Sequence, residues 1–260
     1  FGQVLLKHFM ATYEPLTGQH LYTHLELSDA INNPHIDGFI WPETAIAYAV
    51  GQDPALRHLL AHNLLPHQTL TLGFLRWEDD FIKGRQYFNS MATLNADAQL
   101  SPFYDKHLLV PFGESLPFPT LTQKIIRTLN FSRGAFWPGT SKVKLPVGNS
   151  IALPLICYEG IFSNFVQRHK NAHSFILNIT NDNWFDGTSA PHQHFAMARM
   201  RAVETGLPLV RVANTGITAL VDGYGRIQQK LPIRTQGVLD VQIPSPLPFT
   251  FYSYLWGKLL

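Results

Sequence analysis

The sequence of 260 residues is poor in charge and has almost no excess of either sign. Charged residues make up 15%, and 20 lysines and arginines against 18 acids leave a formal net charge of +2. So small a basic excess excludes a nucleic-acid binder that depends on bulk charge, because few counterions would be released from the phosphates. Disorder is excluded as well, since 45% of the residues are hydrophobic and 12% are aromatic, whereas disordered chains are polar and highly charged.

Long hydrophobic runs are also missing. The longest apolar runs, 108–112 and 151–157, have the length of a strand, whereas a membrane-spanning helix needs about 18 apolar residues. No signal peptide is present, and the chain begins with Phe1 rather than Met. We therefore interpret residues 1–260 as a single domain excerpted from a longer protein, whose targeting segments would lie elsewhere.

Cysteine is limited to Cys157, so no disulfide can form within the chain. A lone cysteine is most often a small buried hydrophobe. A zinc site would have to be built mainly from the 12 histidines, and His192 and His194 lack the i,i+4 spacing of an HExxH helix. We therefore predict no metal.

Short apolar strands alternate with helical segments, which indicates a layered α/β or α+β architecture. The predicted strands are Ile36–Trp41, Thr69–Leu75, Gln86–Leu94, Ser150–Ile156, Ser174–Thr180, Pro208–Ala213 and Ile217–Val221, and a hairpin turn is predicted over Val221–Arg226. The predicted helices are Gly18–Ile31, Pro54–Asn63, Leu121–Leu129, Gly160–Lys170 and Ala190–Thr205.

Three segments place a reactive group beside an apolar, strand-like run: they carry Glu43, Lys106 and Cys157. A carboxylate can accept the proton of a thiol, and a nearby lysine favours the thiolate and can stabilise an oxyanion. Each residue alone has a plainer interpretation, because glutamates and lysines are mostly solvated and lone cysteines mostly buried filler. A histidine could also replace the carboxylate as base, with His107 and His194 the nearest candidates.

Four motifs carry a resemblance to a known family. They are WPETA (41–45), YDKHLLVPFGESLPF (104–118), ICYEGIF (156–162) and the long segment from Asn178 to Ile227. Together they resemble the carbon–nitrogen hydrolase (nitrilase) superfamily and, within it, the apolipoprotein N-acyltransferase branch. The resemblance runs from about Gly38 to the C-terminus, so it covers most of the chain.

The resemblance implies a four-layer α-β-β-α sandwich of the nitrilase type. It also implies that Glu43 is the general base, Lys106 the oxyanion-stabilising residue and Cys157 the nucleophile, with no cofactor. Two further acids, Glu114 and Glu159, would hold Lys106 and polarise the site.

Other positions would complete the implied site. The backbone N–H of Tyr158, directly after the nucleophile, would donate to the oxyanion. The candidates for the acyl pocket or for substrate contacts are Asn181, Trp184 and Phe112. For Trp184 the alternative is a tryptophan that only packs its loop.

The implied activity is transfer of an acyl chain from a phospholipid, through a thioester on Cys157, to the N-terminal amine of a diacylglyceryl-cysteine apolipoprotein. The protein would lie in the inner membrane of a bacterium, with this domain facing the periplasm. The apolar stretches Pro117–Gly139 and Ser245–Leu260 would contact the bilayer, although both could instead be core-packing loops. The alternatives are a soluble amidase or carbamoylase that hydrolyses a small amide with the same triad, and a non-catalytic scaffold.

Overall fold

The structure is a computed structural model that describes residues 15–30, 34–46, 49–82, 84–111, 113–114, 136–140, 144–185 and 187–259. Its helices are α1 (Pro15–Ala30), α2 (Pro54–Ala61), α3 (Ser163–His169), α4 (Ala190–Thr205) and α5 (Phe251–Leu259). Its strands are β1 (Gly38–Ile40), β2 (Thr69–Asp80), β3 (Gly84–Asn95), β4 (Tyr104–Asp105), β5 (Leu145–Val147), β6 (Ser150–Ile156), β7 (Phe175–Asn181), β8 (Leu209–Asn214), β9 (Thr218–Val221) and β10 (Ile227–Leu231). Short 3₁₀ helices, Cys157–Ile161 and Asp182–Phe185, follow β6 and β7.

The strands form two sheets. The first has the order β1-β2-β3-β4, and its centre is the long antiparallel hairpin of β2 and β3. The second has the order β10-β9-β8-β7-β6-β5, in which β6, β7 and β8 run parallel. Parallel neighbours need a crossover, and α3 and α4 supply one each. The carboxyl ends of β6, β7 and β8 therefore meet at one edge of the second sheet.

Three hydrophobic clusters define four layers, α-β-β-α. Leu21 of α1 and Leu56 of α2 pack on Leu72 of the first sheet. The cluster between the sheets joins residues such as Met91 and Leu177. A third cluster packs α3 and α4 on the outer face of the second sheet. Along β7 alternate side chains enter the second and third clusters, as expected for a strand that is buried on both faces. The predicted sandwich is confirmed.

Most predicted elements are present, with shifted ends. The helix over Ala190–Thr205 has the predicted bounds, with Pro191 in its first turn and Gly206 at φ 78° after its last residue. The strands predicted from Thr69 and from Gln86 are longer than expected, because their polar outer halves continue the same hairpin. The helix predicted from Gly160 is divided, with a 3₁₀ turn before α3. The helix predicted over Leu121–Leu129 lies outside the described residues.

Within the C-terminal stretch Ser245–Leu260, residues Phe251–Leu259 form α5, and α5 packs against α4. Ser253 donates to the backbone oxygen of Glu204 at 2.8 Å, and the hydroxyls of Tyr252 and Ser163 lie 2.8 Å apart. Phe249 and Phe251 remain exposed. None of the helices in the described ranges is long and apolar enough to cross a bilayer.

Candidate active site

Cys157 lies at a sharp turn where β6 ends and a 3₁₀ helix begins. Its φ is 50°, in the left-handed region that residues other than glycine rarely adopt, and this conformation costs about 1–2 kcal/mol. The N–H of Ile156 donates to Glu159 Oε2 at 2.7 Å, and the carbonyl oxygen of Cys157 lies 3.2 Å from His194 Nε2. The backbone is thus held on both sides of the sulfur. Such local strain is typical of catalytic residues.

Glu43 follows β1 and lies at the centre of the site. Its side chain is 7% exposed, and each oxygen accepts a hydrogen bond, Oε1 from Asn89 Nδ2 and Oε2 from the backbone N–H of Asn181, both at 2.7 Å. Burial raises the pKa of Glu43, although Lys106 and Asn89 counteract it. A carboxylate with a raised pKa is a better proton acceptor, which suits a general base.

Lys106 follows β4 and lies between two carboxylates. Its ammonium nitrogen is 2.7 Å from Glu114 Oε1 and 3.8 Å from Glu43 Oε1, and the side chain is 1% exposed. Burial opposes the ammonium form, but the negative charges of Glu43 and Glu114 outweigh it and raise the pKa of Lys106. The residue is therefore a fixed positive charge at the site. Glu114 is held in turn by the N–H of Val110, which donates to Oε2 at 2.9 Å.

The same charges act on the thiol of Cys157. Burial, followed by the charge of Glu43, raises its pKa to about 12, while Lys106, a hydrogen bond from Thr180 and the charge of Arg211 lower it. The sulfur is therefore a thiol at neutral pH in the resting chain. Because only the thiolate is a good nucleophile, attack by this sulfur would need a base to remove its proton. The charges of Glu43 and Lys106 both act on the thiol of Cys157.

Glu159 differs from its expected role. It was expected to hold Lys106, but within the described part of the chain the ammonium pairs with Glu43 and Glu114 instead. The carboxylate of Glu159 accepts four hydrogen bonds, from the hydroxyl of Tyr104 and from the N–H groups of residues 107, 108 and 156. It therefore ties the strand end that carries Lys106 to the turn that carries Cys157. Burial raises the pKa of Glu159 to about 7, although the four hydrogen-bond donors act to lower it.

The remaining predicted site residues have different environments. Tyr158 is the second residue of the 3₁₀ helix, and the first N–H groups of a helix have no partner within it, so its N–H is placed to serve as the predicted oxyanion donor. Asn181 contributes its backbone N–H to Glu43 rather than a side chain to a pocket. Trp184 is 60% exposed beside the end of β7. Phe112 lies outside the described residues.

Neither of the competing histidines is placed as a base for the thiol. His107 stacks on Tyr104, with ring centroids 5.1 Å apart, and its backbone N–H donates to Glu159. His194 faces the carbonyl oxygen of Cys157 with Nε2 and Asp182 with Nδ1. In the described residues no group of three or more His, Cys, Asp or Glu side chains is arranged to hold a metal ion.

Three further residues affect Glu43 or Cys157 and are not predicted from the sequence. Asn89, in the middle of β3, directs one amide nitrogen at Glu43 and, at 3.5 Å, at Glu114. Thr180 of β7 lowers the pKa of the Cys157 thiol, and Asn214 at the end of β8 donates to the backbone oxygen of Glu43 at 3.2 Å. The only signal for Asn89 and Thr180 is a polar residue within an apolar strand. That signal does not say which catalytic group the residue will meet.

Comparison with curated proteins gives close relatives of one kind. The chain is 39% identical over 241 residues to the apolipoprotein N-acyltransferase of Bradyrhizobium diazoefficiens, a match that covers 88% of this chain and 45% of that protein. It is 41% identical over 239 residues to the protein of the same name from Brucella melitensis, with 90% and 43% covered. The chain thus spans less than half the length of these relatives.

Several solved structures of an amidase of the nitrilase superfamily from Nesterenkonia have the same fold. A cysteine-to-serine mutant of it matches with a TM-score of 0.62 and 16% identity, covering 94% of this chain and 92% of that one. Another form, with the acetamide moiety of fluoroacetamide added to its active-site cysteine, matches with a TM-score of 0.59 over 84% of this chain and 81% of that one, also at 16% identity. At this identity the likeness concerns the fold alone.

The family model for carbon–nitrogen hydrolases matches residues 19–247. This range includes both sheets and every residue of the buried cluster around Cys157. With the relatives and the sandwich fold, it establishes that the chain belongs to the carbon–nitrogen hydrolase family.

Proposed function

We propose that this chain is the catalytic domain of an N-acyltransferase. It would move an acyl chain from a phospholipid, through a thioester on Cys157, to the N-terminal amine of a diacylglyceryl-cysteine apolipoprotein. The observation that carries the proposal is the identity of about 40% to apolipoprotein N-acyltransferases over nearly nine tenths of the chain. The buried cluster of Glu43, Lys106 and Cys157 supports it chemically.

In the first half of the reaction, Glu43 removes the proton from Cys157, and the sulfur attacks the ester carbonyl of the phospholipid. Lys106 and the N–H of Tyr158 stabilise the oxyanion of the tetrahedral intermediate. The carbon–oxygen bond to the glycerol then breaks, and Glu43 returns its proton to the leaving alkoxide, which departs as lysophospholipid. One preorganised oxyanion donor of this kind contributes about 3 kcal/mol to lowering the barrier.

In the second half, the free amine of the lipoprotein attacks the thioester carbonyl. Glu43 accepts a proton from the attacking nitrogen, and the same two donors stabilise the second oxyanion. The carbon–sulfur bond breaks, the amide forms and Cys157 leaves as a thiolate, which recovers the proton from Glu43. Glu43 is therefore ionised at the beginning and at the end of each half of the reaction.

The membrane setting is part of the proposal. The relatives named above are bacterial proteins, and a phospholipid donor requires access to a bilayer. We place the domain on the periplasmic face of the inner membrane, with the stretch Ser245–Leu260 toward the lipid. The same contact is predicted for Pro117–Gly139, of which residues 117–135 lie outside the described part of the chain. The exposed side chains of Phe249 and Phe251 support the second contact.

The test is intact-mass spectrometry of the full-length protein after incubation with phospholipid vesicles. We expect the mass of one acyl chain to be added to the wild type, and a diacylglyceryl-cysteine peptide to remove it. Cys157→Ala should show no adduct, and a diether phospholipid, which has no ester carbonyl, should give none with the wild type.

Two results would contradict the proposal. One is a wild type that never acquires the acyl mass. The other is an adduct that water removes as fast as the peptide does, together with turnover of small amides. The second result would favour the amidase alternative, which otherwise rests only on likeness in fold.

A further inference from the structure

Four buried polar side chains near the carbonyl oxygen of Cys157 take no part in the proposed acyl transfer. They are Asn178, Asp182, His194 and Arg211, and each is at most 7% exposed. They come from four different elements: β7 carries Asn178, the 3₁₀ helix after β7 carries Asp182, α4 carries His194 and β8 carries Arg211. Burying so many polar groups is unfavourable unless each is paired, so their contacts need an explanation.

The contacts form a closed ring that begins and ends at the carbonyl oxygen of Cys157. Asn178 Nδ2 donates to this oxygen at 3.4 Å and to the oxygen of Leu155 at 3.2 Å. Arg211 Nη1 donates to Asn178 Oδ1, and Arg211 Nη2 donates to Asp182 Oδ2 at 2.9 Å. Asp182 Oδ1 lies 2.9 Å from His194 Nδ1, and His194 Nε2 lies 3.2 Å from the carbonyl oxygen of Cys157.

The chemistry of the ring fixes the role of His194. A carbonyl oxygen can only accept a hydrogen bond, so Nε2 of His194 must carry the proton that it shares with Cys157. This holds whether Nδ1 donates to Asp182 or accepts from Arg211, whose Nη2 lies 3.2 Å away. The histidine is therefore a donor to the backbone of the nucleophile and is not free to take the thiol proton at Nε2.

The ring holds the backbone of Cys157, which is the strained residue described above. The left-handed conformation of Cys157 must be held by its surroundings, and two donors on its carbonyl oxygen hold it from the side opposite Glu159. Rotation of this peptide group would move the sulfur and would also turn the N–H of Tyr158, which belongs to the same peptide unit. The nucleophile and the oxyanion donor would then lose their alignment together.

We propose that Asn178, Arg211, Asp182 and His194 are positioning residues, which fix the peptide between Cys157 and Tyr158 for both halves of the acyl transfer. The inference rests on the proposed function, in that Cys157 must be the nucleophile. None of the four side chains needs to touch the substrate. The ring should therefore affect the rate of the chemical steps and not the binding of phospholipid.

The decisive variant is His194→Phe, which keeps a planar ring of similar size and removes the donor to Cys157. Asp182 retains Arg211 and Thr180 as partners, so no buried charge is left alone. In the full-length protein in phospholipid vesicles, we expect kcat for acyl transfer to fall about tenfold or more while KM for phospholipid changes less than twofold. His194→Gln, which offers an amide N–H in place of the ring N–H, should recover part of the loss.

The matched control is Thr93→Val, which removes a buried hydrogen bond to Thr71 in the first sheet, away from the site. It should lower Tm without lowering kcat at a temperature where the variant is folded. A His194→Phe variant with unchanged kcat and a loss of Tm like that of the control would overturn the proposal. If His194→Phe does not fold, Asn178→Ser, which cannot reach Cys157, decides by the same criteria. If the wild type forms the acyl adduct and the ring variants are fully active, the positioning role of the ring is refuted and the proposed function remains.

Discussion

At the scale of single residues, the sulfur of Cys157 is kept protonated by its burial and by the neighbouring charge of Glu43, and its pKa is raised to about 12 from 9.0. Iodoacetamide reacts only with the thiolate. We therefore expect alkylation of the folded chain at pH 7–8 to be at least about tenfold slower than that of the chain unfolded in urea, as followed by intact mass. Folded-state alkylation as fast as in urea would contradict the assigned environment of the thiol.

Glu159 gives a prediction for stability against pH. Its pKa is about 7 in the folded chain, against 4.5 for an ordinary glutamate, because burial disfavours the carboxylate. The folded state therefore binds more protons between these two values. The stabilisation from this group is complete below pH 4.5 and is lost as the pH rises through 7, by up to about 1 kcal/mol per pH unit.

The measurement is urea unfolding at several pH values between 4.5 and 7.5, for the wild type and for Glu159→Gln. The free energy of unfolding of the wild type should fall more steeply with rising pH than that of the variant. Parallel curves would show that Glu159 is ionised throughout this range. The variant should also be less stable overall, because its amide cannot accept from all four donors around it.

The sequence predicts some of these residues and not others, for a physical reason. Glu43, Lys106 and Cys157 stand at the ends of apolar runs, where an α/β fold exposes side chains, and the family motifs give each a role. Asn89 lies inside a strand, so its partners depend on strand pairing and on how two sheets face each other. Glu159 is predicted as a site residue, but three of its four hydrogen-bond partners lie 51 to 55 positions away, and the sequence assigns Lys106 to it wrongly.

At the scale of elements, Gly73 explains how Glu43 reaches the site. This glycine is in the middle of β2, where a Cβ atom would lie 2.9 Å from Glu43 Cα and 3.0 Å from the nitrogen of Thr44. The absence of a side chain lets the segment that carries the base pass directly over the strand, and the N–H of Ala45 donates to the oxygen of Gly73 at 3.2 Å. The close approach is backbone against backbone, so it cannot be relieved by a rotamer change.

We expect Gly73→Ala to displace Glu43 and to lower activity at least about tenfold, with a loss of about 1–3 kcal/mol in the free energy of unfolding. Gly51→Ala is the matched control, since its Cβ would make only an ordinary contact, 3.4 Å from the ring of Phe103. Activity and urea unfolding of both variants make the test. Equal effects of the two substitutions would refute this account of Gly73.

The bounds of some helices and strands can be predicted from the sequence, and those of others cannot. The helix Ala190–Thr205 is predicted to the residue because Pro191 and Gly206 mark its ends chemically. The outer part of β2, with residues such as Glu78 and Asp80, is not predicted, because this part of the strand is stabilised by pairing with β3 rather than by burial. The turn between β2 and β3 leaves Phe81 and Ile82 almost fully exposed.

At the scale of the whole molecule, the sandwich follows from the family resemblance, whereas the strand order does not follow from composition or periodicity. Two sheets of four and six strands bury three hydrophobic clusters, so much of the apolar content is used inside. The apolar residues that remain outside are concentrated in a few places. Phe249 and Phe251 near the C-terminus form one of them.

If the exposed region around Phe249 and Phe251 faces lipid, replacing both residues with serine should weaken binding of the chain to phosphatidylethanolamine–phosphatidylglycerol vesicles. We expect the fraction that floats with the vesicles to fall at least about twofold, because each exposed aromatic side chain contributes to partitioning. Phe81→Ser with Ile82→Ser is the control, since these residues are even more exposed but lie at the hairpin turn. A loss of flotation only in the hairpin variant would move the lipid contact to that turn.

The backbone N–H of Phe136 donates to the oxygen of Glu114 at 2.9 Å, so the chain returns to the point from which it left. Trp137 and Gly139 then bond to Tyr87 and Lys106, at 2.8 Å each. Whatever stands between Glu114 and Phe136 is thus joined to the core through a closed base. These backbone hydrogen bonds anchor Lys106 and Glu114 independently of the sequence of residues 115–135. An exchange of that segment between relatives would therefore leave the anchors of the lysine and its carboxylate partner in place.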